Sequence, residues 1–93
     1  MLIISVVIPA YNEQHSIGSC LRSVLVQDEM VNGYEVIVVD NASTDATADI
    51  VQKEFPEVRL INEPRKGLAI AYNRGASEAK GDIVKFVATI EVS

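Results

Sequence analysis

Glu35–Asp45 reads EVIVVDNASTD. Four consecutive branched apolar residues, Val36-Ile37-Val38-Val39, stand there between two acids. A β-branched run without alternation is the pattern of a strand covered on both faces, as in a parallel sheet. The run ends on Asp40, and the polar residues after it lead into a helix. Thr44 is placed to act as N-cap, and Asp45 falls in the first turn, where the helix dipole favours a negative charge. Pro56 stops that helix after Phe55.

Outward from this unit the same alternation repeats. Leu2–Pro9, LIISVVIP, is another continuous β-branched run. Ile17, Cys20, Leu21, Val24 and Leu25 recur at helical spacing and predict a helix over Gln14–Gln27. Val31–Tyr34, with Asn32-Gly33, predicts a turn. Val58–Asn62 (VRLIN) predicts a short third strand. Gly67–Ala79 is rich in small residues suited to close packing on a sheet, Lys80-Gly81 ends that helix, and Asp82 starts a fourth strand. The order is β-α-β-α-β-α-β. Helix-containing crossovers of about 15–25 residues mean parallel strands, and their right-handedness gives a Rossmann-like parallel sheet of about four strands with helices on both faces.

Length and composition bound the rest. Ninety-three residues make at most one domain, residues 1–93, and 48% hydrophobic against 23% charged is a globular composition. The net charge of −5 argues against a nucleic-acid binder, which would show a basic face. Residues 1–50 carry one basic and seven acidic side chains, while residues 51–93 carry seven basic and six acidic. An anion site therefore draws on the second half or on backbone amides. The single cysteine, Cys20, forms no internal disulfide, fits a reducing compartment and falls on an apolar helical stripe as packing material. The opening apolar run lacks a basic leader and is far short of the roughly 20 residues of a membrane span. The expectation is a cytoplasmic chain without a span. His15, the only histidine, has no Cys or His partner nearby in sequence and reads as a surface residue.

In an open parallel sheet, ligands bind beyond the carboxyl ends of the strands, where strand order reverses. That directs attention to Pro9–Glu13, Asp40–Asp45, Asn62–Gly67 and whatever follows Phe86. Asp82 and Glu35 open their strands at the other end and read as solubilising. No G-x-G-x-x-G and no G-x-x-x-x-G-K-[ST] is present, which excludes the usual dinucleotide and P-loop cradles. Pro9 and Tyr11 instead offer a flat apolar wall for a base, and Glu13 an acceptor for an imide or ribose donor. A turn that only starts a helix is the competing reading. Asp40, an acid at the tip of a buried strand near Glu13, reads as a second ligand acceptor.

SVVIPAYNE, VIVVDNASTD and KGLAIAYNRGASEAKGD, in that order, resemble the N-terminal half of the family 2 glycosyltransferases, enzymes of GT-A fold that use nucleotide-diphosphate sugars. The resemblance covers residues 2–87. It implies that Pro9, Ala10, Tyr11 and Glu13 hold the nucleotide, that Asp40 contacts the base, and that Lys66, Gly67 and Asn73 line the donor pocket. It implies hexosyl transfer from a nucleotide sugar, most readily a UDP-sugar, by single displacement. It also implies a divalent cation, Mg²⁺ or Mn²⁺, on a D-x-D motif after the fourth strand. Here Ala88-Thr89-Ile90 stand at that place and Glu91 comes one position late, so both expected acids are absent. Tyr72 stands where family members often carry Arg.

The acceptor half would follow Ser93, which makes these residues a donor-binding half not expected to turn over alone. A non-catalytic nucleotide- or partner-binding module on the same scaffold is the alternative, and a receiver-like regulator fits poorly because Glu13 does not supply an acid pair. The alternation of Lys85, Val87, Thr89 and Glu91 with Val84, Phe86, Ala88, Ile90 and Val92 predicts an extended edge strand through which two copies could pair as a homo-oligomer.

Overall fold

The computed structural model describes residues 3–28 and 34–89. Strand β1 spans Ile4–Ala10, helix α1 Ile17–Asp28, β2 Tyr34–Asp40, α2 Thr47–Glu54, β3 Arg59–Asn62, α3 Leu68–Glu78 and β4 Ile83–Phe86. All strand pairings are parallel and the order is β3-β2-β1-β4. The Rossmann-like sheet with helices on both faces is therefore the observed architecture. Strand order reverses at β1, which pairs with β2 from Ile4↔Tyr34 to Ala10↔Asp40 and with β4 from Ile4↔Ile83 to Val7↔Phe86.

Successive residues of a strand face opposite sides of the sheet, and the two cores follow that period. Val6, Ile8, Ala10, Val36 and Val38 pack with Ile17, Leu21, Val51 and Phe55, the buried residues of α1 and α2 and the end of α2. Val7, Ile37 and Val39 face the other side and meet Ala71 of α3. A Cβ on Gly75 would stand 2.2 Å from Val7 Cγ1 and 3.1 Å from Val39 Cγ2, so the absence of a side chain lets α3 lie against the sheet. Among the described residues no helix is long and apolar enough to cross a membrane.

Several expected boundaries move for identifiable reasons. Helix α1 begins at Ile17 rather than Gln14, because Gln14 is engaged elsewhere. Its N–H donates to Asp45 Oδ2 at 3.3 Å, and its Oε1 accepts from Ala46 N–H at 3.1 Å. Thr44 is not an N-cap: its N–H donates to Asn12 Oδ1 at 2.8 Å, and α2 starts three residues later. Asp45 lies one residue before the cap, Ala46, and not in the first turn, where Asp49 stands; its carboxylate accepts from the N–H and hydroxyl of Thr47. Burial raises its pKa, but those bonds outweigh that effect and hold it below the ordinary value.

Glu35 is structural rather than solubilising, whereas Asp82 is exposed. The Glu35 carboxylate accepts from Ser5 Oγ at 2.6 Å, Arg59 Nη1 at 2.7 Å and Lys80 N–H at 2.9 Å. Burial pushes its pKa up, and these donors more than offset that. Asp82 Oδ2 accepts from Ile3 N–H at 3.0 Å. Strand β4 ends at Phe86; Val87 N–H still donates to Val7 O at 3.0 Å, but Thr89 is buried and among the described residues the strand does not extend as predicted. The Asn32-Gly33 turn and the stretch 90–93 lie outside the described residues. Cys20 is half-buried against the α1 side of the core, and His15 is exposed, as expected.

Candidate functional site

A cleft of about 460 Å³ opens at the carboxyl end of the sheet, within the 300–1,000 Å³ usual for small-molecule sites. It is lined by the β1 end (Pro9, Ala10, Tyr11, Glu13), by Asn41, by the loop before α3 with its first residue (Lys66, Gly67, Leu68), and by Thr89. Tyr11 and Leu68 are exposed there at 45% and 63%. Lys66 Nζ stands 5.0 Å from the Tyr11 ring centroid and donates to Tyr11 Oη at 3.2 Å. The cleft thus presents an aromatic face and an ammonium side by side.

The walls are tied together by side chain–backbone bonds. Asn12, in the left-handed region at φ 52°, accepts Thr44 N–H and donates its own N–H to Ser43 Oγ at 2.9 Å. Glu13 N–H donates to Thr47 Oγ1 at 2.8 Å. Asn41 Nδ2 donates to the carbonyls of Glu63 (3.2 Å) and Arg65 (2.7 Å), and its Oδ1 accepts from Gly67 N–H at 3.0 Å. Glu63, 1% exposed, accepts from the backbone N–H and Nε of Arg65 at 2.9 and 3.0 Å and from Arg74 Nη1 at 3.2 Å. The Arg65 guanidinium and N–H, with Arg74 beside them, pull its pKa down to about 2.

Of the eight residues singled out from sequence, six (Pro9, Ala10, Tyr11, Glu13, Lys66 and Gly67) line this one cleft. Asp40 is buried at 6% exposure beside Ala10, and its Oδ1 faces Ser43 N–H at 3.4 Å. Asn73 borders a separate depression with Arg65, Ile70, Arg74 and Ser77. The rotation of α3 explains this. Ala71 and Gly75 share the face pressed on the sheet, and a residue midway between them, about 200° around the helix from each, points away from it. Asn41, Leu68 and Thr89 also line it: Asn41 and Thr89 lie in stretches the sequence pointed to but were not singled out, and Leu68 falls just past the Asn62–Gly67 stretch, a large apolar residue just inside a helix start.

The donor set does not fit the divalent cation that the sequence resemblance implies. Ala88 has no side-chain oxygen, and the Thr89 hydroxyl is donated to Glu13 Oε2 at 2.7 Å. Among the described residues no group of three or more His, Cys, Asp or Glu converges.

Comparison with known proteins agrees with this architecture. A Methanococcus voltae enzyme, dolichyl N-acetyl-alpha-D-glucosaminyl phosphate 3-beta-D-2,3-diacetamido-2,3-dideoxy-beta-D-glucuronosyltransferase, is 31% identical over 87 residues, 88% of this chain and 27% of its own length. The mannosyltransferase PcManGT of Pyrobaculum calidifontis, solved with GDP-Man and Mn²⁺, superposes with a TM-score of 0.84 at 33% identity over 95% of this chain and 27% of its own. S. aureus TarS 1-349, solved with UDP-GlcNAc, superposes with a TM-score of 0.80 at 31% identity, again over 95% of this chain and 26% of that one. The chain spans about a quarter of the length of the curated relatives it matches. Residues 5–90 match Glycosyl transferase family 2, a span that holds every strand but the first residue of β1 and every residue lining the cleft; the chain belongs to that family.

Proposed function

We propose that the cleft binds a nucleotide-diphosphate sugar, a UDP-sugar by preference, and that these residues form the donor-binding part of a hexosyl-transferring glycosyltransferase. The pairing of the exposed Tyr11 ring with the Lys66 ammonium carries the reading. A base can stack on the ring and a diphosphate can meet the ammonium within one cleft. Glu13 and the buried Asp40 supply acceptors for a ribose hydroxyl or a base N–H, and the Gly67 backbone allows close approach. Asn73 contributes only if the ligand reaches past α3. Related proteins solved with GDP-Man and UDP-GlcNAc support the ligand class. A cytoplasmic setting, where nucleotide sugars and a reduced Cys20 coexist, accords with it.

The absence of a carboxylate at residue 88, with the Thr89 hydroxyl closed on Glu13, favours a second reading in which these residues bind the donor without transferring it. Titration with UDP and GDP, followed by amide resonances, tests both. Saturable shifts confined to Pro9–Glu13, Asp40, Asn41, Lys66–Leu68 and Thr89 support the donor site, and shifts elsewhere or none reject it. Sugar release or transfer from a UDP-hexose by the bound chain rejects the binding-only reading.

A further inference from the structure

Glu63 N–H donates to Asp40 O at 2.9 Å and the Gly67 carbonyl accepts Ala71 N–H at 3.0 Å, but residues 64–66 between them lie outside helix and strand and carry Lys66 to the Tyr11 ring. The loop also turns at Gly67, whose φ of 145° is closed to most L-residues. Asn41 grips it at three points: the carbonyls of Glu63 and Arg65 take both Nδ2 hydrogens, and the Gly67 N–H binds Oδ1. Asn41 is 6% exposed and lines the cleft, so this grip is made from the ligand side. The second restraint, Glu63 on Arg65 and Arg74, involves no residue lining the cleft. An amide is the side chain that meets two acceptors and one donor at once. Aspartate would keep the Gly67 contact but turn a carboxylate oxygen against two carbonyls.

We propose that Asn41 is the positioning residue of the cleft: by holding the 63–67 loop it stations the Lys66 ammonium, and so it sets the preference for a nucleoside diphosphate over the bare nucleoside. This rests on the donor-site reading above. Asn41 acts through Lys66, so its substitution should change the response to the ligand's charge and not the response to its base.

The test is titration of the chain with UDP and with uridine, for the unaltered sequence, Lys66→Met and Asn41→Asp. Lys66→Met should weaken UDP about tenfold, the loss of one charged contact, and leave uridine within about twofold. Asn41→Asp should reproduce that pattern. Parallel losses for UDP and uridine would reveal general structural damage and overturn the proposal, as would an unchanged UDP affinity. If Asn41→Asp does not fold, Asn41→Ser, which retains a hydroxyl donor, is read in the same way. An unaltered chain that ignores UDP overturns the donor-site reading and this proposal together. A Lys66 effect without an Asn41 effect overturns this proposal alone.

Discussion

The Thr89 hydroxyl donates to Glu13 Oε2 at 2.7 Å across 76 positions of sequence, and Ser16 Oγ donates to the same oxygen at 3.0 Å. Thr89 follows β4 and Glu13 follows β1, so the bond closes the cleft between the two neighbouring strands at which the order reverses. Thr89 is only 7% exposed, which makes its hydroxyl a buried group with one protein partner to satisfy it. Thr89→Val keeps the shape and removes the donor. The expected loss is about 1 kcal/mol of unfolding free energy, read as a lower denaturant midpoint at unchanged slope. An unmoved midpoint would mean that the bond contributes nothing to stability.

Asp40→Asn should weaken UDP binding. A hydrogen bond to a charged acceptor contributes about 1.5–3 kcal/mol, or roughly tenfold or more in Kd. Isothermal titration of both forms decides the matter: equal affinities remove Asp40 from the site and leave it a buried strand-end acid.

Acid should destabilise the fold through Glu63. Its pKa falls from the ordinary 4.5 to about 2 on folding, chiefly through Arg65. The unfolded chain therefore binds the proton more readily, and the stabilisation present above about pH 4.5 is lost progressively as pH falls towards 2. Glu35 and Asp45, also held below their ordinary values, act in the same direction. Urea midpoints measured from pH 6 down to 2.5 should decline, and Glu63→Gln should decline less steeply from a lower starting point. Parallel curves for the two forms would show that Glu63 titrates normally.

Gly75→Ala sets two effects against each other. Alanine favours a helix interior by about 1 kcal/mol over glycine. Its Cβ, however, would lie 2.2 Å from Val7 Cγ1, and overpacking of a buried contact costs about 1–3 kcal/mol. The net expectation is a less stable chain, seen as a lower thermal midpoint. A stabilised variant would show that α3 can lift from the sheet without loss.

The parallel sheet was legible in the sequence because its cause is local. Continuous β-branched runs such as Val36–Val39 need cover on both faces, and helix-length crossovers leave one hand of connection. Tyr11, Glu13 and Lys66 could be placed near one another for the same reason, since a parallel sheet gathers its following loops at one end. The exact helix starts were not legible, because Gln14 and Thr44 spend their polar groups on each other's loops through Asp45, Ala46 and Asn12. Nor were the roles of Asn41, Glu63 and Thr89. Their partners sit on other loops, and no periodicity encodes a bond between atoms that only folding brings together. Asn73 marks the boundary between the two kinds of information. Sequence alone puts it on a helix after the Lys66 loop, but the face it presents depends on Gly75 meeting Val7 and Val39, because the steric fit of α3 on the sheet sets the rotation of that helix.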